Sequence, residues 1–186
     1  MKQKGVSFLE VIVVIGILLI VSAFVSPSIT NWRSKRSLES DYLALLSNID
    51  FLKTRVRTMN GTGVLICSTT ARLTYQISSN PQSSTSVVSA NFASNVLEDP
   101  SAKDVNFNIL SGESTVVSAL CTSGRGIFVS SGMAGLEGGG GAIDIELNRG
   151  GNRSAYGAYR VLVNQTSGFV QKYKWIQASN AWVEQD

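Results

Sequence analysis

The sequence predicts an α+β chain: a long N-terminal α-helix, membrane-spanning in its first half and amphipathic in its second, packed on an antiparallel β-sheet globular domain. Three observations lead there. Val11 to Val25 carries no charge. From Leu38 to Met59 apolar residues recur every three or four positions, and from Val64 onward short apolar or alternating runs are separated by turn-rich gaps.

Val6 to Val25 is long enough as a helix to cross a hydrocarbon core about 30 Å thick at about 1.5 Å rise per residue. One acid, Glu10, stands at its mouth. A carboxylate near the bilayer interior costs roughly 2.5 to 3.5 kcal/mol on insertion scales, and such residues usually mark a functional contact. A cleaved secretory signal also begins with basic residues such as Lys2 and Lys4, and Val21-Ser22-Ala23 has the small residues of a cleavage site. Against cleavage there stand the acid at the start of the apolar core and a helical pattern that resumes after Pro27.

Lys4-Gly5-Val6-Ser7-Phe8-Leu9-Glu10, with basic residues before the glycine, an acid five positions after it and a long apolar stretch beyond, resembles the class III leader of type IV pilins and type II secretion pseudopilins. The resemblance implies that residues 1–5 are a leader, that prepilin peptidase cuts after Gly5, and that the new N-terminus at Val6 is methylated. The chain departs from the usual pattern at Val6, where Phe is commonest, and at Ser7, often Thr. Residues 6–27 are then a transmembrane helix in the bacterial inner membrane, with the globular domain in the periplasm until the subunit joins a filament. Glu10 of one subunit neutralises the Val6 amine of a neighbour, which relieves the cost of an uncompensated buried carboxylate. A glutamate that merely reaches toward the headgroups is the alternative. The implied partners are other minor and major pilins and the pilus assembly platform.

Pro27 removes one helical hydrogen bond and crowds the preceding turn, so a helix break or kink is expected around Phe24 to Pro27. The other reading is that Pro27 ends the membrane helix. Residues 28–60 form the amphipathic half, with Leu38, Tyr42, Leu45, Ile49, Leu52, Val56 and Met59 as its apolar stripe and Arg33, Lys35, Arg36, Glu39, Asp41, Asp50, Lys53, Arg55 and Arg57 at mostly solvated positions. Asn60-Gly61-Thr62-Gly63 supplies the stop, because Asn and Gly tolerate the left-handed conformation at a helix end.

Residues 61–186 read as the β-rich domain. Its expected strands are Val64 to Cys67, Leu73 to Ile77, Val105 to Leu110, Thr115 to Leu120, Ile127 to Ser130, Ala142 to Leu147, Ala158 to Val163 and Gly168 to Ile176. Ile143, Ile145 and Leu147 alternate with Asp144 and Glu146, the clearest period-two signal. The Ser-rich stretch from Ser78 to Asn91 and the Gly-rich stretch from Gly132 to Gly141 read as loops.

Cys67 and Cys121 are the only cysteines. In an oxidising compartment a bridge between them is one reading, and two separately buried thiols the other. Two cysteines without a histidine make a poor metal set, and the absence of histidine removes the commonest general base, so neither cofactor, metal nor enzymatic activity is expected. Sixteen basic residues against thirteen acids give a net charge of +3, and loss of Lys2 and Lys4 with the leader would bring the side-chain balance to +1. Net charge therefore points neither toward nor away from a polyanion.

Two further stretches narrow the resemblance. Leu46 to Cys67, a helix carrying Arg55 followed by a turn and Val-Leu-Ile-Cys, and Tyr159-Arg160-Val161-Leu162-Val163 followed by Ser167-Gly168, resemble the GspH/FimT-type minor pilin domain. That implies a scarce subunit that helps initiate filaments at or near the tip. Some such pilins bind DNA through a Gly-Arg-x-Arg turn, where this chain has Gly168-Phe169-Val170-Gln171. Arg149, Arg153, Arg160, Lys172 and Lys174, interleaved with Tyr156, Tyr159, Tyr173 and Trp175, remain as candidate DNA contacts; solvated cations beside ordinary strand aromatics are the plainer reading. A type II secretion pseudopilin is the third alternative.

Overall fold

One helix, α1, runs from Phe8 to Thr58, 51 residues, a rod of about 75 Å at 1.5 Å per residue. The computed structural model describes residues 7–69, 72–79, 103–107, 114–122, 124–137 and 141–186. The Ser7 carbonyl accepts the first helical bonds, from the amides of Glu10 at 3.0 Å and Val11 at 3.2 Å. Helical structure continues through position 27, so Pro27 neither ends nor breaks the element. A proline deletes a single amide donor, and the turns on either side keep their own bonds.

The end of α1 is chemically specified. Asn60 takes the left-handed conformation, φ 49°. The Gly61 amide then reaches the Val56 carbonyl at 2.9 Å and the Asn60 amide the Arg57 carbonyl at 3.1 Å. This paired closure satisfies carbonyls that an abrupt end would leave open.

Among the described residues ten strands follow: β1 Thr62–Thr69, β2 Arg72–Ser78, β3 Lys103–Phe107, β4 Thr115–Ser118, β5 Gly126–Val129, β6 Ala134–Leu136, β7 Ile143–Asn148, β8 Ala158–Val163, β9 Val170–Ile176 and β10 Ala181–Gln185. A 3₁₀ turn, Ala119–Cys121, follows β4, and a short helix, α2, Arg153–Tyr156, precedes β8. The strands form two antiparallel five-stranded sheets rather than one. The first has the order β3-β2-β1-β5-β6 and the second β10-β9-β8-β7-β4.

Sequence expectation and structure part at specific points. Ala134–Leu136, expected as loop, pairs with β5 through Phe128↔Ala134 and Gly126↔Leu136; its Gly-rich composition conceals three buried residues. The C-terminal strand β10 was not expected; it pairs with β9 in the register Trp182↔Trp175. Ser78 belongs to β2. Most of the stretch from Ser78 to Asn91 lies outside the described residues, as do 138–140.

The apolar stripe of α1 enters the core as its spacing predicts: Leu38, Tyr42, Leu45, Ile49, Leu52 and Val56 are buried, and Met59 packs partly buried beside them. They meet Leu65, Leu73 and Phe128 of the first sheet and Ile145, Leu147, Val161 and Val163 of the second in one continuous core. Gly63 marks the closest approach of helix and sheet. A Cβ there would lie 2.7 Å from both Leu52 Cδ1 and Val56 Cγ2. Asp41 departs from its expected solvated position: it is buried, and Ser114 Oγ donates to its Oδ2 at 2.5 Å. That hydroxyl, just ahead of β4, supplies a hydrogen bond of the kind a buried carboxyl requires.

Cys67, in β1, is bonded to Cys121, in the 3₁₀ turn, with a Cα–Cα separation of 4.8 Å. The bridge ties the first sheet to the segment that follows β4 of the second. Of the two readings open for these thiols, the pair is the one realised.

Candidate functional site: the apolar stalk and the basic-aromatic face

Gly5 and Val6 lie outside the described residues. Glu10 is described: it stands exposed in the first turn of α1. There the positive end of the helix dipole favours a carboxylate. From Phe8 to Val21 the large apolar side chains are exposed, among them Phe8, Leu9, Val14, Ile17, Leu18 and Ile20. A helix that is apolar on all faces needs an apolar surrounding, either lipid or other helices. Among the described residues no helix is long and apolar enough to cross a membrane.

The five candidate DNA-contacting cations do not form one surface. Strand pleating sends paired residues to a common face and neighbours to opposite faces. Tyr159 of β8 is paired with Lys174 of β9, and Val161 with Lys172. Tyr159 stacks on Tyr42 of α1, so Lys172 and Lys174 share the side of the sheet that α1 covers. Arg160, paired with Tyr173 and with Glu146, projects from the other side.

On that outer side the arginines are already engaged. Arg153 makes a two-point contact with Glu146, Nε to Oε1 at 2.7 Å and Nη2 to Oε2 at 2.6 Å. Arg160 does the same with Asp144, at 2.8 and 2.5 Å. Both guanidinium pKa values are raised, chiefly by these hydrogen bonds. Asn148 also donates to Glu146 Oε1 at 2.9 Å. The Arg153 guanidinium lies 5.5 Å from the ring centres of both Trp175 and Trp182, and those two rings meet edge to face. Planar, two-point pairing is the strongest arrangement for arginine, and it leaves fewer donors for a phosphate.

The other cations differ. Arg149 donates to the Ser34 hydroxyl of α1 and lies 4.9 Å over Tyr156. Lys172 Nζ donates to the Asp186 backbone oxygen at 2.6 Å. Lys174 Nζ sits 5.7 Å over the Tyr159 ring. Between this side of the second sheet and α1 runs a groove of about 330 Å³ lined by Trp32, Lys35, Arg36, Tyr156, Tyr159 and Lys174. Sequence reasoning placed Lys35 and Arg36 on a solvated helix face and missed that groove, since nothing local in α1 announces Lys174.

Among the described residues no group of histidine, cysteine and acidic side chains is arranged to hold a metal ion. No curated protein and no solved structure matches the chain. Residues 1–26 match the family described as Prokaryotic N-terminal methylation motif, which supports a type IV pilin-like protein, pilin or pseudopilin, processed by prepilin peptidase and assembled with other pilins.

Proposed function

We propose that this chain is a minor type IV pilin of the GspH/FimT type, a low-abundance filament subunit that helps initiate pilus assembly at or near the tip. The observation that carries the reading is the junction of a prepilin motif with an all-round apolar helix that runs without a stop into the core of a disulfide-bonded β domain. In this reading residues 6–27 sit in the inner membrane with the β domain in the periplasm. Cleavage after Gly5 frees the Val6 amine.

The chemistry of recruitment is then electrostatic. A subunit alone in the bilayer carries Glu10 in a medium where a carboxylate costs roughly 2.5 to 3.5 kcal/mol. The Val6 amine of an adjacent subunit is a counter-ion of matching depth, and pairing removes much of that penalty. The apolar sides of α1 pack against neighbouring helices in place of lipid. No chemical step on a substrate belongs to this reading, and the chain acts as a structural subunit without cofactor.

A DNA- or surface-binding tip pilin is the second reading. It is motivated by the basic and aromatic residues of the second sheet, but the engagement of Arg153 and Arg160 by carboxylates weighs against a DNA surface there. A minor pseudopilin of a type II secretion system is the third. Deletion of the gene with separate scoring of pilus number, DNA uptake and exoprotein secretion tests all three. Loss of pili with secretion intact supports the first; a selective loss of DNA uptake or of secretion moves the assignment to the second or third.

A further inference from the structure

The groove between α1 and the second sheet gathers three cations against one acid. Lys35 and Arg36 come from α1 and Lys174 from β9. Glu39 is the one acid on its wall. Among the described residues none of the three cations has a carboxylate partner, in contrast to Arg153 and Arg160 on the opposite side of the same sheet. Two of them rest on aromatic rings instead: Arg36 lies 5.4 Å over Trp32 and Lys174 lies 5.7 Å over Tyr159. Cation-on-ring placement holds a charge in position while leaving its outward donors open.

Distance along α1 places this groove. Trp32 follows position 27, the end of the stretch read as membrane-spanning, by five residues, about 8 Å of helix, and Arg36 by about 14 Å, a gap that its long side chain can bridge. The headgroup layer beyond a hydrocarbon core is about 5 to 8 Å thick. Trp32, 60% exposed, is the residue type that settles at that boundary, and lysine and arginine stems extend back toward it. Arg33, Lys35 and Arg36 also stand on the translocated side of the apolar run, where positive residues are normally under-represented.

We propose that this groove binds the phosphate of an anionic phospholipid headgroup, with Lys35, Arg36 and Lys174 as the cationic contacts and Trp32 seated at the membrane surface. The proposal rests on the reading of residues 6–27 as a membrane-spanning helix. Its consequence is a β domain held against the bilayer until the subunit is drawn into a filament, when the lipid contact is exchanged for protein.

The test uses the full chain reconstituted by detergent removal into phosphatidylcholine vesicles, with and without phosphatidylglycerol. Flotation reports insertion. Competition between brominated phosphatidylglycerol and brominated phosphatidylcholine for quenching of tryptophan fluorescence reports the lipid that is bound. The expected preference for phosphatidylglycerol is at least about fivefold, the worth of about one basic residue at a membrane surface. It falls to about parity in a Lys35→Gln, Arg36→Gln, Lys174→Gln variant that still floats. A wild-type chain that floats without preference overturns the proposal and leaves the membrane reading standing; a chain that fails to float removes both. If inorganic phosphate at the concentration of the lipid headgroups abolishes the preference, the groove is a free-phosphate site. If the variant keeps the preference, the groove is not the site.

Discussion

Tyr42 of α1 and Tyr159 of β8 stack nearly face to face, with ring centres 4.4 Å apart and planes 15° from parallel. The pair fastens the helix to the second sheet beside the groove. It also carries an energetic cost, because the Tyr42 hydroxyl is buried with no hydrogen-bond partner among the described residues. An unsatisfied buried hydroxyl costs roughly 1 to 3 kcal/mol. Tyr42→Phe keeps the stack and removes the hydroxyl, so thermal melting of the variant should occur a few degrees higher at neutral pH, about 2 to 4 °C for each kcal/mol in a chain of this size.

The same pair sets a pH dependence. Burial, and then the neighbouring Tyr159, push the Tyr42 phenol up from 10.0 to about 12, and burial raises Tyr159 as well. Both shifts favour the neutral phenol in the folded state, so their stabilising contribution is complete below pH 10 and is lost as pH rises toward about 12. Urea midpoints measured across that window should fall in the wild type and fall less steeply in Tyr42→Phe. An equal slope in both proteins would contradict the assignment.

The Cys67–Cys121 bond encloses a sequence separation of 54 residues. Chain-entropy reasoning gives such a loop about 4 kcal/mol. Cys67→Ser with Cys121→Ser, or reduction of the wild type, should lower the melting temperature by roughly 10 °C. Calorimetry with and without reductant measures it, and the serine variant should show no further response to reductant.

Ser114 joins β4 to α1 through the buried Asp41 carboxyl. Ser114→Ala removes one hydrogen-bond donor from a buried carboxyl, a loss of about 1 to 3 kcal/mol. Chemical denaturation should show the midpoint falling with the slope unchanged. Ser114→Thr retains the hydroxyl and should recover most of the loss.

Glu10→Ala removes the carboxylate that the recruitment chemistry depends on while leaving Gly5 and the apolar run intact. Leader cleavage, scored by the mobility of the protein in membranes, should stay near wild type. Incorporation into sheared filaments should drop by an order of magnitude or more, as about 2 kcal/mol of lost differential stabilisation predicts. Wild-type incorporation of that variant would remove the charge-pairing role.

The parts of this fold that could be read from the sequence are those governed by local periodicity. The helical stripe from Leu38 to Met59 and the period-two pattern of Ile143, Ile145 and Leu147 each report which face is buried, and both landed in the core. Strand β6 escaped because its buried residues, Ala134, Gly135 and Leu136, are small and sit among glycines. Strand β10, Ala-Trp-Val-Glu-Gln, has no fully buried residue and no alternation, so its pairing with β9 left no period-two signature. Asp41 went unrecognised because its partner, Ser114, is 73 positions away. The division of the basic residues between two faces of one sheet depends on the register of β8 and β9, which composition does not contain. The groove likewise needs Lys174 to meet Lys35 and Arg36 from the far end of the chain.

The central claim is that this chain is made as a prepilin whose stalk begins at Val6. Mass spectrometry of the intact protein recovered from membranes and from sheared filaments tests it most directly. The predicted result is a chain that starts at Val6, carries one N-methyl group and includes an intact Cys67–Cys121 bond. A filament-associated chain that retains Met1, or an exported one that starts after Ala23, would contradict it.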